Sequence, residues 1–577
     1  MSAPDPRLAL LTAPLIIGVT GHRDLEPDDV PKLQHKVKHI FARLREKYPS
    51  TPLLVLSPLA EGADRLVARV GLELGARLVA PLPMQAALYE ADFEEPGSVD
   101  EFRTLLAKAA CAFEVAPVRD PESIRAPGPA RDLRYQIAGS YVVKQSQILI
   151  ALWDGVDSGK TGGTSEMVRL RTEGAAGAED CDLRPPELFP VFHILTPRRS
   201  NPHRSSEAFH LREIYPPVFP RPERGEDYYG KTLSDLDRFN RHIQRGGEAL
   251  RKETAASKRK LLTTSHEASL TPAQALAFDQ YSVADALALR FQRKTVRAHL
   301  ALHLLVFASF LGFVLFAELG EFRVYLLIAA LLLMAAAFVT HRLSRKHALD
   351  GQSQDYRAVA EGARVRFFWR VAGIDDSVPE NYLESLRSEL DWIRHALRGW
   401  QATCAPTNSA AFRETLEFVQ KHWIDHERRY FSHAAKTNRE RAEQIEFLVK
   451  TAVAIPLAIG VAVAIAAALN SAFGYGWWEP EVREWLKWPM IGIELLLASG
   501  ALLHHFGERM AYSEHAREYR KMEGIFRNAH AILEKRLAAS NLDGARDCLR
   551  KLGQEALAEN GEWVLLHRER PLELPHP

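Results

Sequence analysis

Polar residues with phosphate-binding chemistry cluster at four points in the first third of the chain. The clusters are Thr20-Gly21-His22-Arg23, Glu61-Gly62-Ala63-Asp64-Arg65, Asp154-Gly155 and the stretch from Gly159 to Glu166. Arginine grips phosphate with parallel hydrogen bonds, and glycine lets a backbone amide approach a ligand closely. A glycine-rich turn that opens a helix adds the free N–H groups of the helix N-terminus. Together these features predict a nucleotide site.

The clusters follow short apolar runs that alternate with amphipathic segments, which predicts an α/β domain with a parallel, Rossmann-like sheet. The predicted strands are Leu15–Thr20, Leu53–Ser57, Arg77–Leu82, Gln147–Trp153 and Val191–Leu195. In such sheets ligands bind outside the carboxyl ends of the strands, where these clusters fall. The candidate nucleotide-binding residues are Gly18, Thr20, Gly21, His22, Arg23, Gly62, Asp64, Arg65, Asp154, Gly155, Gly162, Gly163 and Thr164.

The charged candidates each have a structural alternative. His22 is suited to contact a phosphate or act as an acid, and equally to hold a turn. Arg23 and Arg65 are suited to bind phosphate bidentately, and the alternative is surface ion pairing. Asp64 either binds a ribose diol or caps the helix that it opens.

Glu166 is the candidate catalytic residue, as a base or nucleophile. It lies in the first turn of a predicted helix for which Thr164 is a suitable N-cap. A carboxylate there suits the helix dipole but repels a nearby phosphate, so it either binds a ribose hydroxyl, serves as a base or is an ordinary first-turn residue. Gly159-Lys160-Thr161 does not complete a P-loop, because the first glycine of that motif would fall at Asp154.

Four long apolar runs predict membrane spans. The runs are Ala298–Ala317, Val324–Thr340, Thr451–Leu469 and Pro489–Phe506. A bilayer core of about 30 Å needs roughly 17–25 helical residues, and the alternative of buried soluble helices is less suited to four such runs. Glu494 breaks the fourth run and is a functional candidate, since an intramembrane carboxylate lines a pore, pairs with His504 or His505, or snorkels to the interface.

Charge sets the expected orientation and excludes one class of partner. Lys and Arg flank the outer ends of both hairpins of spans, which predicts a multi-pass protein of the cell (inner) membrane with N- and C-termini in the cytoplasm. With 74 Lys+Arg against 73 Asp+Glu, the net charge of +1 gives no support to nucleic-acid binding. The N-terminus lacks a secretory signal, and the four scattered cysteines favour neither a disulfide framework nor a zinc site. The expected partners are a nucleotide ligand, the lipid bilayer and further copies of the chain, with no cofactor and no metal.

The composition shifts along the chain predict six segments. They are a nucleotide-binding domain at 1–196, a linker and helical segment at 197–289, a first two-span hairpin with its juxtamembrane helix at 290–370, a cytoplasmic helical segment at 371–440, a second two-span hairpin with its helix at 441–545 and a tail at 546–577. The stretch 197–224 is rich in Pro, Arg and Ser, which is typical of a loop or linker.

Thr20-Gly-His-Arg, Glu61-Gly-Ala-Asp-Arg and Gly162-Gly-Thr-Ser-Glu166 resemble the SLOG superfamily, which includes LOG phosphoribohydrolases and the N-terminal region of TRPM channels. LOG enzymes place their Glu three residues after the Thr, whereas here Glu166 comes two residues after Thr164. The hairpins, each followed by a Tyr-Arg…Glu-Gly helix near Asp355 and Glu518, are similar to SLATT-type membrane effectors. The resemblance implies a nucleotide-sensing, membrane-anchored defence protein whose ligand is related to NAD or ADP-ribose.

Three functions fit the sequence. In the first, nucleotide binding controls a four-span effector by favouring one of its states. In the second, the domain is a membrane-tethered N-glycosidase that uses Glu166, like a LOG phosphoribohydrolase. In the third, the chain is a four-span scaffold with a vestigial fold.

Overall fold

The chain divides into two compact units. The computed structural model describes residues 6–94, 97–116, 121–157, 159–174, 189–201, 206–217, 222–318, 323–346, 349–383, 387–402, 412–473 and 480–568. The sheet unit comprises Met1–Lys258, Thr263–Val283 and Gly362–Ser409. The membrane unit comprises Arg259–Leu262, Ala284–Glu361 and Ala410–Pro577.

The sheet unit is built on a mostly parallel sheet. Its strands are β1 (Leu15–Gly21), β2 (Leu53–Leu56), β3 (Arg77–Leu82), β4 (Cys111–Glu114), β5 (Ile148–Trp153), β6 (Val191–Leu195) and β7 (Leu211–Ile214). Their order is β4-β3-β2-β1-β5-β6-β7, and the pairs are parallel except β6 with β7, which is antiparallel. Strands β2, β3 and β4 follow one another outward on one side of β1, and β5, β6 and β7 do so on the other side, as in doubly wound nucleotide-binding folds.

Helices surround this sheet and continue into the membrane unit. The α-helices of the first half are α1 (Pro6–Leu11), α2 (Val30–Lys47), α3 (Ala63–Glu73), α4 (Ala86–Tyr89), α5 (Ser98–Lys108), α6 (Pro129–Gln145), α7 (Thr164–Glu173), α8 (Pro222–Arg245), α9 (Gly247–Leu261) and α10 (Thr264–Ala268). Those that follow are α11 (Pro272–Glu318), α12 (Arg323–Lys346), α13 (Leu349–Val371), α14 (Arg387–Ala402), α15 (Arg413–Val419), α16 (Asp425–Phe473), α17 (Pro480–Met510), α18 (Tyr512–Ala538) and α19 (Leu542–Arg568).

The near-continuous apolar strands are explained by burial on both faces of the sheet. On one face, Ile17 and Val55 pack in a core with Phe41 of α2. On the other face, Ile16 packs in a second core with Met167 of α7. Strands buried on both faces read as continuous hydrophobic runs, which is why the sequence locates them.

The predicted fold class is confirmed, with two strands added. The five strands predicted from the sequence are present, and β4 and β7 were missed. β7 lies within 197–224, so the interpretation of that whole stretch as a loop or linker is wrong. Both added strands lie at the edges of the sheet and are only partly buried, which gives them a weak hydrophobic pattern.

The membrane unit contains the four expected spans. Among the described residues, four helical segments are long and apolar enough to cross a membrane, and they lie in α11, α12, α16 and α17. Small residues let the two helices of each hairpin approach closely. A Cβ at Gly312 would lie 3.0 Å from Cβ of Ala330, and a Cβ at Gly500 would lie 3.0 Å from Cβ of Ala452. The chain is therefore a membrane protein with a Rossmann-like sheet unit.

Candidate functional site

The carboxyl ends of β1 and β5 lie side by side at the point where the strand order reverses. Thr20 pairs with Ala151 and Gly21 with Leu152 in the parallel register of these strands. The polar residues that follow, His22 after β1 and Asp154 after β5, meet directly. Such a reversal point is where open α/β sheets bind their ligands.

His22 and Asp154 satisfy each other. Nε2 of His22 lies 2.9 Å from the backbone nitrogen of Asp154 and 3.1 Å from Oδ1 of the same residue. Burial lowers the pKa of His22, against the opposing effect of the Asp154 carboxylate, so the neutral ring accepts a hydrogen bond from the amide. Burial alone would raise the pKa of Asp154, but hydrogen bonds from the Val156 amide and Asn201 hold it below its ordinary value. This pair joins the two strand ends through Nε2 of His22.

The glycines near β1 are required by close packing. Gly62 has φ +76, and a Cβ there would lie 2.4 Å from the carbonyl oxygen of Arg23 and 2.5 Å from that of His22. A Cβ at Gly21 would lie 2.4 Å from Cβ of Ala63. Gly18 is an interior position, since its Cβ would lie 2.5 Å from Oγ of Ser146. The Glu61–Arg65 cluster therefore packs directly against the Thr20–Arg23 cluster.

Arg65 is buried and ties two helices together. It is 2% exposed, and its Nε donates to the carbonyl oxygen of Leu59 at 3.0 Å. Its Nη1 donates to the carbonyl oxygen and Oγ of Ser98, at 2.8 and 2.6 Å, and its guanidinium lies 4.3 Å from the ring centroid of Phe93. Arg65 is thus an internal link from α3 to the start of α5, and the alternative of surface ion pairing describes only its 3.5 Å contact with Oε2 of Glu101.

Asp64 is a buried carboxyl beside this link. Its Oδ2 accepts a hydrogen bond from the Ala60 amide at 3.3 Å. Burial raises the pKa of Asp64 to about 7, although the Ala60 amide and the cations Arg23 and Arg65 act in the opposite direction. A carboxyl that titrates near neutral pH can exchange a proton under physiological conditions.

A cavity of about 260 Å³ opens between the end of β1, the start of α3 and the start of α5. Its charged lining residues are Arg23, Arg65, Arg69, Arg199, Glu61 and Glu101. Four arginines and two glutamates give 4 − 2 = +2 formal charges on the wall. A cavity with excess guanidinium groups is suited to phosphate or carboxylate ligands.

Two buried donors of this region lack a partner. Nη2 of Arg65 and the hydroxyl of Tyr89 have no hydrogen-bond partner in the part of the chain that the structure describes. Arg23 is exposed, and its guanidinium lies 4.8 Å from the ring centroid of Tyr135. Buried donors without partners are the kind of group that a bound acceptor satisfies.

Arg69 and Arg199 belong to the cavity wall but were not predicted. Arg69 lies one helical turn after Arg65, so the sequence contained a signal for it in the i, i+4 spacing along α3. Its Nη1 donates to Oε1 of Glu101 at 2.7 Å. Arg199 follows β6, and its amide donates to the carbonyl oxygen of Asp24 at 3.0 Å, a long-range contact with no local signal.

The glycine-rich turn before α7 is hydrogen-bonded to a side chain of the helix that it precedes. Oε2 of Glu166 accepts a hydrogen bond from the Gly162 amide at 2.6 Å, and its Oε1 accepts one from Nε2 of Gln136 at 2.6 Å. Gly163 precedes the helix in an extended conformation, so the expectation that Thr164 is the N-cap is wrong. Thr164 is the first residue of α7. Glu166 therefore acts as a local cap in this structure.

Helix α6 connects the two groups of candidates. Its Tyr135 lies under Arg23, and a Cβ at Gly162 would lie 3.0 Å from the backbone nitrogen of Gln136. The predicted residues are thus gathered along one edge of the sheet. The residues after β5, including Gly155, Gly163 and Glu166, do not line the arginine-rich cavity.

The last candidate, Glu494, lies in the membrane unit. It is exposed on the surface of α17. His505 lies near a different residue, with its Nδ1 3.1 Å from Nε2 of His303. This hydrogen bond joins the first span to the fourth.

Comparisons with known proteins identify no relative. No family model, curated protein or solved structure matches the chain. Among the described residues, no group of three or more His, Cys, Asp or Glu side chains is arranged to hold a metal ion.

Proposed function

We propose that the protein is a membrane-anchored nucleotide sensor. The sheet unit binds an NAD- or ADP-ribose-related nucleotide and controls the four-span membrane unit. The resemblance of its polar clusters to the SLOG superfamily, and of its hairpins to SLATT-type effectors, supports a role in bacterial defence as part of this proposal. The positive-inside rule assigns both termini and the sheet unit to the cytoplasm.

The observation that carries the proposal is the arginine-rich cavity at the carboxyl edge of the sheet. It combines the position where doubly wound folds bind nucleotides with four guanidinium groups in its lining. A diphosphate offers several anionic oxygens to such a wall. The unpartnered Nη2 of Arg65, a lining residue, adds a buried donor to the cavity.

Control of the membrane unit requires that the nucleotide favour one state of the chain over another. The division between the units falls within α9, α11 and α13, so each of these helices contributes residues to both units. Of the three, α11 itself contains a span and α13 follows α12, which contains another. A change at the sheet unit therefore has two covalent helical routes toward the spans. Several copies acting together are the expected assembly.

The first test measures binding to the full-length protein in detergent. ADP-ribose, NAD and AMP are titrated by calorimetry, with adenosine as a ligand that lacks phosphate. We expect the phosphate-bearing ligands to bind and adenosine to fail. Arg23→Gln should weaken binding about 10- to 100-fold, since a hydrogen bond to a charged group contributes about 1.5–3 kcal/mol.

Arg45→Gln is the matched control, because Arg45 is an exposed arginine of α2 that does not line the cavity. Equal affinities of the two variants, or no binding of any phosphate ligand, would refute the proposed site.

The effector function is tested separately: the protein in liposomes should release a trapped dye only when the nucleotide is added. Release that ignores the nucleotide would refute the sensor.

One observation favours a hydrolase as the second candidate. Asp64 titrates near pH 7 next to Gly62 and Arg65, which both line the cavity, so a group able to donate or accept a proton lies beside the anion site. Glu166, the carboxylate expected from the LOG pattern, already accepts two hydrogen bonds. Incubation with NAD, ADP-ribose and AMP should release free base if the protein is an N-glycosidase. Asp64→Asn and Glu166→Gln then identify which carboxyl the reaction needs.

A further inference from the structure

The fourth span exposes a stripe of residues that repeats with helical spacing. The stripe comprises Met490, Glu494, Leu497, Ala501, His504 and Glu508, all exposed on α17. The steps of four, three, four, three and four residues keep these side chains on one face of the helix. Within this stripe, Glu494 lies inside the apolar run and His504 lies near its end.

The other spans expose a different kind of surface. In the run of α11 the exposed residues are apolar, such as Leu304 and Phe310. In α16 the exposed residues of the run are also apolar, such as Leu457 at 66% and Val461 at 50%. The exposed residues of the α12 run are apolar except Tyr325, close to the helix start. Only the α17 run presents carboxylate or imidazole side chains on its outer face, among the described residues of the four runs.

Lipid is a poor environment for this stripe. Glu494 comes five residues after Pro489 (494 − 489), about 7.5 Å along the helix axis at 1.5 Å per residue. Ionisable residues at such positions face a bundle interior or a water-filled cavity, because hydrocarbon offers a carboxylate neither charge nor hydrogen bond. Among the described residues, none covers Glu494, which leaves its side chain open to contact with another copy of the chain.

We propose that the α17 stripes of several copies face one another and enclose a water-filled path through the membrane. Copies in one membrane share an orientation, so their Glu494 side chains lie at the same depth and form a ring of carboxylates. Such a ring attracts cations and repels anions. The inference rests on the proposed function in one respect, that the membrane unit is an effector, and it assigns that effector a cation-selective pore.

The first test measures selectivity. Full-length protein is reconstituted into planar bilayers under a KCl gradient, and the reversal potential gives the ratio of cation to anion permeability. Wild type should be cation-selective, and Glu494→Gln should lower the ratio at least several-fold. Glu446→Gln is the matched control, since Glu446 is an exposed carboxylate of α16 just before the third run and pairs with Lys450. An unchanged ratio in Glu494→Gln would overturn the proposal.

The second test does not need an open pore. Leu497→Cys and Leu457→Cys are compared in a background with the native cysteines replaced by serine. A charged, membrane-impermeant thiol reagent should label the stripe position 497 and leave the third-span position 457 unlabelled. Protection of both positions, or cross-linking at 497 without labelling, would indicate a lipid-facing or dry helix surface and overturn the proposal.

Nucleotide dependence separates this inference from the proposed function. Both tests are run with and without ADP-ribose. Conduction that depends on Glu494 but not on the nucleotide would refute the proposed sensor, and the assignment of α17 as the pore-lining helix would stand. Nucleotide binding with no effect of Glu494→Gln and no labelling at 497 would refute the pore and leave the proposed nucleotide site standing.

Discussion

Substitution of Gly62 by alanine tests how the two predicted polar clusters meet. The new Cβ would lie 2.4 Å from the carbonyl oxygen of Arg23 and 2.5 Å from that of His22, and Gly62 has φ +76. The backbone conformation costs about 1–3 kcal/mol for a residue with a Cβ, and the overlap costs about 1–3 kcal/mol more. We therefore expect Gly62→Ala to lower the free energy of local unfolding by about 2–6 kcal/mol.

Gly97→Ala is the matched control. Gly97 also has a positive φ, +74, but a Cβ there meets nothing within 4 Å. It should lose only the backbone contribution, about 1–2 kcal/mol. In the full-length protein, hydrogen exchange of the β1 and α3 amides reports the loss in Gly62→Ala, and exchange of the first α5 amides reports the loss in Gly97→Ala, because exchange tracks local opening. Equal losses in the two variants would show that the Glu61–Arg65 turn does not lie against the Thr20–Arg23 turn, and the geometry of the site would be wrong.

Two further substitutions separate proton chemistry from capping. Asp64→Asn should flatten the pH dependence of stability, because the folded protein raises the pKa of Asp64 from 3.8 to about 7. The wild type should therefore lose up to about 4 kcal/mol of stability as the pH rises through this window, and denaturation midpoints at pH 5 and pH 8 should report about 3 kcal/mol of that loss. Parallel curves for the two proteins would contradict this assignment. Glu166→Gln should lower the protection of the first α7 amides by about 1–2 kcal/mol, since it exchanges an acceptor oxygen for an N–H donor facing Gly162 or Gln136. Glu173→Gln, at the exposed far end of α7, should leave that exchange unchanged. Equal protection of the first α7 amides in both variants would show that Glu166 does not cap the helix.

The sheet was predictable where its strands are buried on both faces. β1 and β5 consist of uninterrupted apolar runs whose ends are marked by Gly21 and Asp154. β4 and β7 are four-residue edge strands with partly buried residues, and they satisfy their backbone through pairing that only the fold supplies. The four spans were predictable because a long uncharged run has few alternatives.

The site was predictable in its location but not in its division of roles. The strand-end rule placed the polar clusters at one edge, since it depends only on topology. The burial of Arg65 and its bonds to Ser98 depend on how α5 packs, which local spacing does not encode. The contribution of Arg199 likewise depends on the loop after β6 returning to Asp24.

Burial decides which arginines can report on ligand binding. Arg65 donates to three other residues and is 2% exposed, so its removal leaves buried acceptors without donors and perturbs the fold before any ligand is considered. Arg23 is exposed on the Tyr135 ring, so its removal changes the charge of the cavity with little loss of packing. A loss of binding in an Arg65 variant is therefore compatible with any role for the cavity, whereas a loss in an Arg23 variant of unchanged stability points to contact with the anion itself.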